Sequence, residues 1–261
     1  MSIATDVEIP RDRWGRPLIV PPEGGSPVPY TRATSLAGVL DDTYNLEKWK
    51  LRMNALGLVE RPDLLLAVAG ARDSKYKLDK ICEAAITAGK GDSGATIGTA
   101  LHSLTERIDQ GLPLGAIPDA FKPDIEAYKL ATAELEHILF EQFVVVDYLK
   151  VGGTLDRLVE FRGERYICDI KTGDVKFSAL KIAMQMALYS TGVPYDPAWG
   201  GRGKPLQVNR HKGLLVHLPQ GTGQCDLYFV DLDVGHAAVV VACLVRSMRK
   251  RKVEMSLVGE Q

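Results

Sequence analysis

The chain has no excess of charge of either sign, no closely paired cysteines and no long apolar run. Net charge is −1 over 261 residues. No global basic field draws in a polyanion, so nucleic acid would have to be gathered by local patches. The four cysteines, Cys82, Cys168, Cys225 and Cys243, are widely spaced. They form no CxxC pair, fit neither a zinc site nor a disulfide framework in so long a chain, and read as reduced cytosolic thiols. No apolar stretch reaches the roughly 18 residues of a membrane span, and none follows the first basic residues as in a signal peptide. The expected location is the cytoplasm. What is present is a chain 46% hydrophobic, long enough to bury a core as one large domain.

Residues 1–30, rich in Pro and Gly, read as an extended arm without periodicity. From Thr34 the pattern is helical through SLAGVLDDTYNLEKWKLRMNALGL, RPDLLLAVAGA, KYKLDKICEAAITAGK, GATIGTALHSLTERIDQG and PDIEAYKLATAELEHIL. Strands begin near Gln142 with QFVVVDYLK, GGTLDRLVEF and RYICDIK. SALKIAMQMALYST returns to helix with Ser178 as a plausible N-cap. GLLVHLP and CDLYFVDLD are strands, and a helix from about Gly235 to Lys252 closes the chain. The expectation is a mixed α/β (α+β) fold in one domain over residues 31–261. A mainly helical part over 31–140 would feed a sheet-containing core over 141–252.

YICDIKTG, residues 166–173, looks like a buried strand, yet it carries Asp169 and Lys171 two positions apart. Strand side chains alternate faces, so the two emerge side by side. Arg162-Gly163 is a plausible two-residue turn between this run and GGTLDRLVEF. Counting outward from a tight turn places Asp156 opposite Asp169, with Cβ atoms roughly 4.5–5.5 Å apart; a longer loop would shift the pairing. Two facing carboxylates repel unless one takes a proton or a divalent cation sits between them. Asp156, Asp169 and the main-chain carbonyl of Ile170 supply oxygen ligands of the kind magnesium or manganese prefers. Lys171, on the same face, suits water or phosphate oxygen in metal-assisted attack on a phosphodiester. The bland alternative is a surface hairpin with scattered charges.

His102 and Glu106 stand four apart on one helix face. Imidazole and carboxylate both ligate divalent metals, although such a His is as readily packed or hydrogen-bonded. Gln185 and Tyr189, also four apart, with Lys181 one turn earlier, make a polar stripe on an otherwise apolar helix. That stripe also reads as a solvated face.

H-x-x-x-E on a helix, then GGTLDRL, YICDIKTG and QMALY, in that order, resembles the PD-(D/E)XK nuclease superfamily. Within it the chain looks like the RecB-type exonuclease branch, which includes the CRISPR-associated RecB-like nucleases and the mitochondrial genome maintenance exonuclease. It is also similar to RecB-like exonucleases of actinobacterial phages. The strong part of the resemblance covers about Gly94 to Thr191.

The resemblance implies a restriction-endonuclease-like core, a central mixed sheet flanked by helices. It also implies a Mg2+- or Mn2+-dependent deoxyribonuclease acting on DNA ends in phage recombination or replication. Asp156, Asp169 and Lys171 match the catalytic set, and His102 matches a metal-binding histidine. Glu106 matches a supporting acid, Gln185 and Tyr189 match the Q-x-x-x-Y motif, and Thr172 follows the lysine as a phosphate contact. The late cysteines do not cluster, so no iron–sulfur cluster is expected.

Two basic runs offer a phosphate track. One is the loop GGRGKPLQVNRHKG with Arg202, Lys204, Arg210, His211 and Lys212. The other is RSMRKRK, with Arg246, Arg249, Lys250, Arg251 and Lys252, which reads equally as a capped helix end. Trp49 and Tyr44 read as base-stacking groups or as core. GDSGATIG and QGTGQC lack the context of phosphate loops and read as turns, and His217 and His236 as structural. Two alternatives to the exonuclease remain open. One is a structure-specific or restriction-like endonuclease on the same core. The other is a catalytically inactive DNA-binding subunit that loads a single-strand annealing protein.

Overall fold

The computed structural model describes residues 8–91 and 93–258. The first seven residues of the arm and Asp92 of GDSGATIG lie outside it. In chain order, short strands β1 (Leu18–Ile19), β2 (Val28–Pro29) and β3 (Thr31–Arg32) precede helix α1 (Ala33–Ala37). Helices α2 (Tyr44–Glu60), α3 (Pro62–Ala69), α4 (Lys75–Ala88), α5 (Ser93–Asp109) and α6 (Lys122–Ala131) follow. Strands β4 (Glu136–Val146), β5 (Val151–Phe161) and β6 (Glu164–Lys171) lead into α7 (Ala179–Thr191). Then come β7 (Val193–Asp196), β8 (Gly201–Arg202), β9 (Lys212–His217), β10 (Asp226–Asp231) and α8 (Leu232–Arg249).

The chain divides into two compact units, residues 1–41, 129–217 and 225–261 in the first, and 42–128 with 218–224 in the second. The first holds a mixed sheet in the order β10-β9-β6-β5-β4-β7-β8, with β3 pairing parallel to the start of β5. Neighbours are antiparallel except that β6 and β9 run parallel. α1, α7 and α8 pack on it through a core that includes Leu36, Val144, Leu155, Ile167, Met184, Met186, Leu215 and Leu232. This is the mixed sheet flanked by helices that the order of elements implied.

The arm is less independent than its composition implies. Ile19 and Tyr30 are buried with Phe143, Val145 and Tyr195, and β3 enters the sheet. The helix expected through Leu139 stops at Ala131, and residues 136–139 belong to β4. Pairing with β5 outweighs local helical spacing there. Ser178 precedes α7 without capping it, because its Oγ donates back to the carbonyls of Asp174 and Val175.

The second unit is helical. α2 buries only Gly57 and exposes Tyr44, Leu46, Leu51, Leu56 and Val59, while Trp49 is half-buried. GDSGATIG is helical from Ser93 onward, where a turn was expected. QGTGQC is a turn whose Gly221 and Gly223 N–H groups donate to the buried Asp124. No described helix is long and apolar enough to cross a membrane.

Candidate active site

The site grows from the β5–β6 turn. Arg162 (φ 53°) and Gly163 (φ 80°) are both left-handed, as a type I′ hairpin requires and as suits the right-handed twist of its strands. Phe161 therefore pairs with Glu164, and the ladder runs regularly to Arg157 opposite Cys168. One step further the backbone pairing ends. The Ile170 N–H donates to Asp156 Oδ2 at 3.1 Å, and the Asp156 charge lies close enough to act on Asp169. The register counted from the turn thus holds, and it brings the two acids together.

Their electrostatics follow from placement. Asp169 is only 2% exposed. Burial, then the neighbouring Asp156 charge, push its pKa up to about 7, against the opposing pull of Lys171. Lys171 Nζ lies 2.5 Å from Asp169 Oδ2 and 3.5 Å from the Ile170 carbonyl oxygen. The ion pair is poorly directed, because Oδ2 is buried and accepts no hydrogen bond. An ammonium therefore stands among the oxygens expected to bind a metal. Those oxygens, one of them lacking a directed donor, form a set that a hard divalent cation fits. Among the described residues, no three His, Cys, Asp or Glu side chains converge as a ready-made metal cluster.

Helix α7 adds Gln185, whose Nε2 donates to Tyr189 Oη at 3.2 Å. Tyr189 is buried, and its phenol is held well above its usual range by burial and by the charges of Asp156 and Asp169. Asp156, Gln185 and Tyr189 line a cavity of about 280 Å³ with Gly152, Gly153 and Thr154. This cavity opens where the edge of β5 away from β4 is unpaired, since β6 pairs up to Arg157 while β3 pairs only with Val151 and Gly152.

Three residues here escaped the sequence reading. Arg11 and Arg32 line the same cavity. Arg11 donates to the Gly15 carbonyl and Arg32 to Ser35 Oγ. Among the described residues neither has a carboxylate partner within 4.0 Å. Glu141 lies on β4 between the rungs Gln142–Leu155 and Phe140–Arg157, hence opposite Asp156. Its φ of 45° is unusual for a strand, and its charge also acts on Tyr189. A lone acid in the apolar run HILFEQFVVV was the available signal for it.

Other expected contacts fare differently. Thr172 is half-buried just beyond the end of β6. Lys181 pairs with Asp41 at 2.5 Å instead of standing free for phosphate. Arg202 is bound to Asp147 at 2.6 Å and to the carbonyls of Val20 and Gly200. Lys204 follows β8, the last strand of the sheet and the third from β5.

Because β9 runs parallel to β6 with His217 beside Lys171, Lys212 lies back toward the hairpin turn, about 16 Å along the strand. Arg210 precedes it, in a loop tied to that end by the Asn209 N–H and the Arg165 carbonyl. The basic loop therefore lies toward the turn end of β6, away from the acids. His102 and Glu106 lie on α5 in the second unit, both half-buried. The His102 carbonyl accepts from Thr105 Oγ1, and Glu106 Oε1 accepts from Gln110.

Comparison with known proteins now places this geometry. Residues 120–222 match the PD-(D/E)XK nuclease superfamily, a stretch that contains Asp156, Asp169, Lys171, Gln185 and Tyr189. The likeness to a PD-(D/E)XK nuclease domain thus rests on residues 120–222. The crystal structure of SSO0001 is similar over 75% of this chain and 74% of that one, at 16% identity and a TM-score of 0.31. No curated protein matches.

Proposed function

We propose that this chain is a divalent-metal-dependent exonuclease that hydrolyses DNA from its ends, with a role in phage recombination or replication. The observation that carries the nuclease chemistry is the Asp156–Asp169 pair with the Lys171 ammonium between Asp169 and the Ile170 carbonyl. Preference for ends, and partnership with an annealing protein, rest on the likeness of the ordered set from His102 to Tyr189 to RecB-type exonucleases.

Asp156, Asp169 and the Ile170 carbonyl would hold Mg2+ or Mn2+, with His102 of α5 as a further ligand and Glu106 in support. The ion would supply charge neutralisation at the phosphate and a water of lowered pKa. The chain's own groups divide the remaining work. Lys171, displaced from Asp169, turns its ammonium to the attacked phosphate or the attacking water, where negative charge develops. Tyr189, kept neutral, is a hydrogen-bond donor steadied by Gln185. Arg11 and Arg32 offer two cations for backbone phosphates beside Asp156, and Thr172 offers a hydroxyl.

The test is digestion of end-labelled linear and circular DNA, single- and double-stranded, with magnesium, manganese or chelator. Linear DNA should be degraded only with metal, and Asp169→Ala should abolish cleavage. Degradation of circles would make the protein an endonuclease. Full activity in a folded Asp169→Ala protein would remove the site assignment altogether.

A further inference from the structure

Residues 10–18, PRDRWGRPL, fold into a tight hairpin within the arm. The Leu18 N–H donates to the Pro10 carbonyl, Arg11 bridges Pro17, and the Asp12 N–H donates to the Arg16 carbonyl. Gly15 closes the tip with a left-handed φ of 73°. The base of the hairpin is anchored, since the Tyr30 N–H donates to the Pro17 carbonyl and Ile19 is fully buried. It therefore holds a fixed place, beside the cavity that contains Asp156. Arg11 lines that cavity. A Cβ on Gly15 would lie 3.8 Å from a guanidinium nitrogen of Arg32, which lines it too.

Two features of the hairpin go beyond what its folding needs. One is charge. Arg11, Arg13 and Arg16 stand within six residues, with Arg32 alongside, in a chain whose net charge is −1. Asp12, the hairpin's one acid, is taken by Arg16 at 2.7 Å, which leaves Arg13 at the tip without an acid in the hairpin. The other feature is Trp14, 60% exposed at the same tip. The Arg13 and Arg16 guanidiniums lie 4.0 and 4.9 Å from its ring centroid. An indole so exposed adds little to a core, but it is a good platform for a cation or an unstacked base.

We infer that this tip is a binding site for single-stranded DNA, in which Trp14 stacks a base while Arg13, Arg11 and Arg32 take backbone phosphates leading to Asp156. The inference rests on the nuclease reading for the direction of the strand. Arg16, tied to Asp12, keeps its place on the indole. Arg13 is untied, so an incoming base displaces its guanidinium from the ring, and the freed cation turns to a phosphate of the same strand. Arg11 and Trp14 are three positions apart, a reach of at most about 10 Å, so the stacked base and the bound phosphates belong to nearby nucleotides. A duplex fits poorly, because its bases are already stacked on one another and offer the indole no face. Only a strand with splayed bases satisfies both the aromatic and the basic part of the tip.

Binding of oligo(dT) and of a blunt duplex to the full chain, measured in chelator so that nothing is cut, tests this. Indole emission of the wild-type protein should fall on adding oligo(dT), and Trp14→Phe should remove most of that fall. Trp14→Ala should weaken oligo(dT) binding roughly 5- to 150-fold, leave the salt slope unchanged and hardly affect the duplex. Arg13→Ala should instead lower the salt slope by about 0.7. Both variants should keep the wild-type circular dichroism and melting temperature, because the tip is exposed. Undiminished oligo(dT) binding by Trp14→Ala, equal losses for oligo(dT) and duplex, or emission indifferent to saturating oligo(dT) would each overturn the inference. A protein that bound oligo(dT) through Trp14 yet cut no DNA in magnesium would uphold the stacking site and remove only the direction of the strand, so the two readings fail separately.

Discussion

Lys171 reaches Asp169 Oδ2 at 2.5 Å and the Ile170 carbonyl oxygen at 3.5 Å, two of the atoms that a bound cation would take. On the proposed metal site, the ammonium would have to be displaced by a bound cation. Lys171→Met should accordingly lower the cleavage rate by on the order of 10²–10³-fold, the usual loss for a group that meets developing charge. Binding of an oligonucleotide in calcium should change little. Single-turnover cleavage beside equilibrium binding separates the two effects, and a variant that bound poorly but cleaved normally once bound would reverse the assignment.

The acid pair also sets a pH dependence whose sign is fixed. Asp169 has a folded pKa of about 7 against an ordinary value of 3.8. The folded chain therefore holds a proton that the unfolded chain has lost between those two values. Stability falls as pH rises through that window. In chelator, the melting temperature should be lower at pH 8 than at pH 5. Asp169→Asn should narrow that difference by removing the charge, and magnesium should restore stability at pH 8 by binding the folded state. A wild-type melting temperature flat across the window would show that the pair is not coupled as its geometry implies.

Two arginines and two other basic residues offer an internal contrast. Arg11 and Arg32 line the cavity beside Asp156, so replacing either by Ala should remove about one phosphate contact. The slope of log binding constant against log salt for single-stranded DNA should then fall by about 0.7. Lys212→Ala, toward the turn end of the sheet, should leave the slope unchanged. Arg202→Ala should act on folding instead. It strips Asp147 of a partner that is 17% exposed, a loss of about 1–3 kcal/mol readable by urea unfolding.

Local chemistry explains what the sequence disclosed. Gly163 suits a tight turn, and once the turn has two residues the count along the strands fixes which residues face each other. The alternation of strand and helix patterns from Gln142 onward likewise gave the mixed sheet. Hidden features depend on partners far apart in the chain. Arg32 reaches the cavity only because β3 pairs in parallel with β5, a pairing without a local signature. Arg202 looked exposed in a glycine-rich loop until Asp147 and the Val20 carbonyl claimed it. The position of Lys212 depends on β9 running parallel to β6, which no motif announces. Glu141 was masked by helical spacing that continues through Leu139.

Gly153 offers a sharper test of the cavity than any charged residue, because it bears no functional group of its own. A Cβ added there would lie 2.9 Å from Tyr189 Oη and 3.0 Å from Ala33 Cβ. Both are tighter than side chains tolerate, and Tyr189 is packed on α7 among buried residues with little room to yield. Gly153→Ala should therefore push the phenol away from Asp156 and Gln185, at a stability loss of about 1–3 kcal/mol. Cleavage should fall while the acid pair stays intact, so calcium should still raise the melting temperature at pH 8. Adding Tyr189→Phe, which removes the crowded oxygen, should recover part of the stability but none of the activity. If the double variant regained activity, Tyr189 would only fill space and its proposed donation would be wrong.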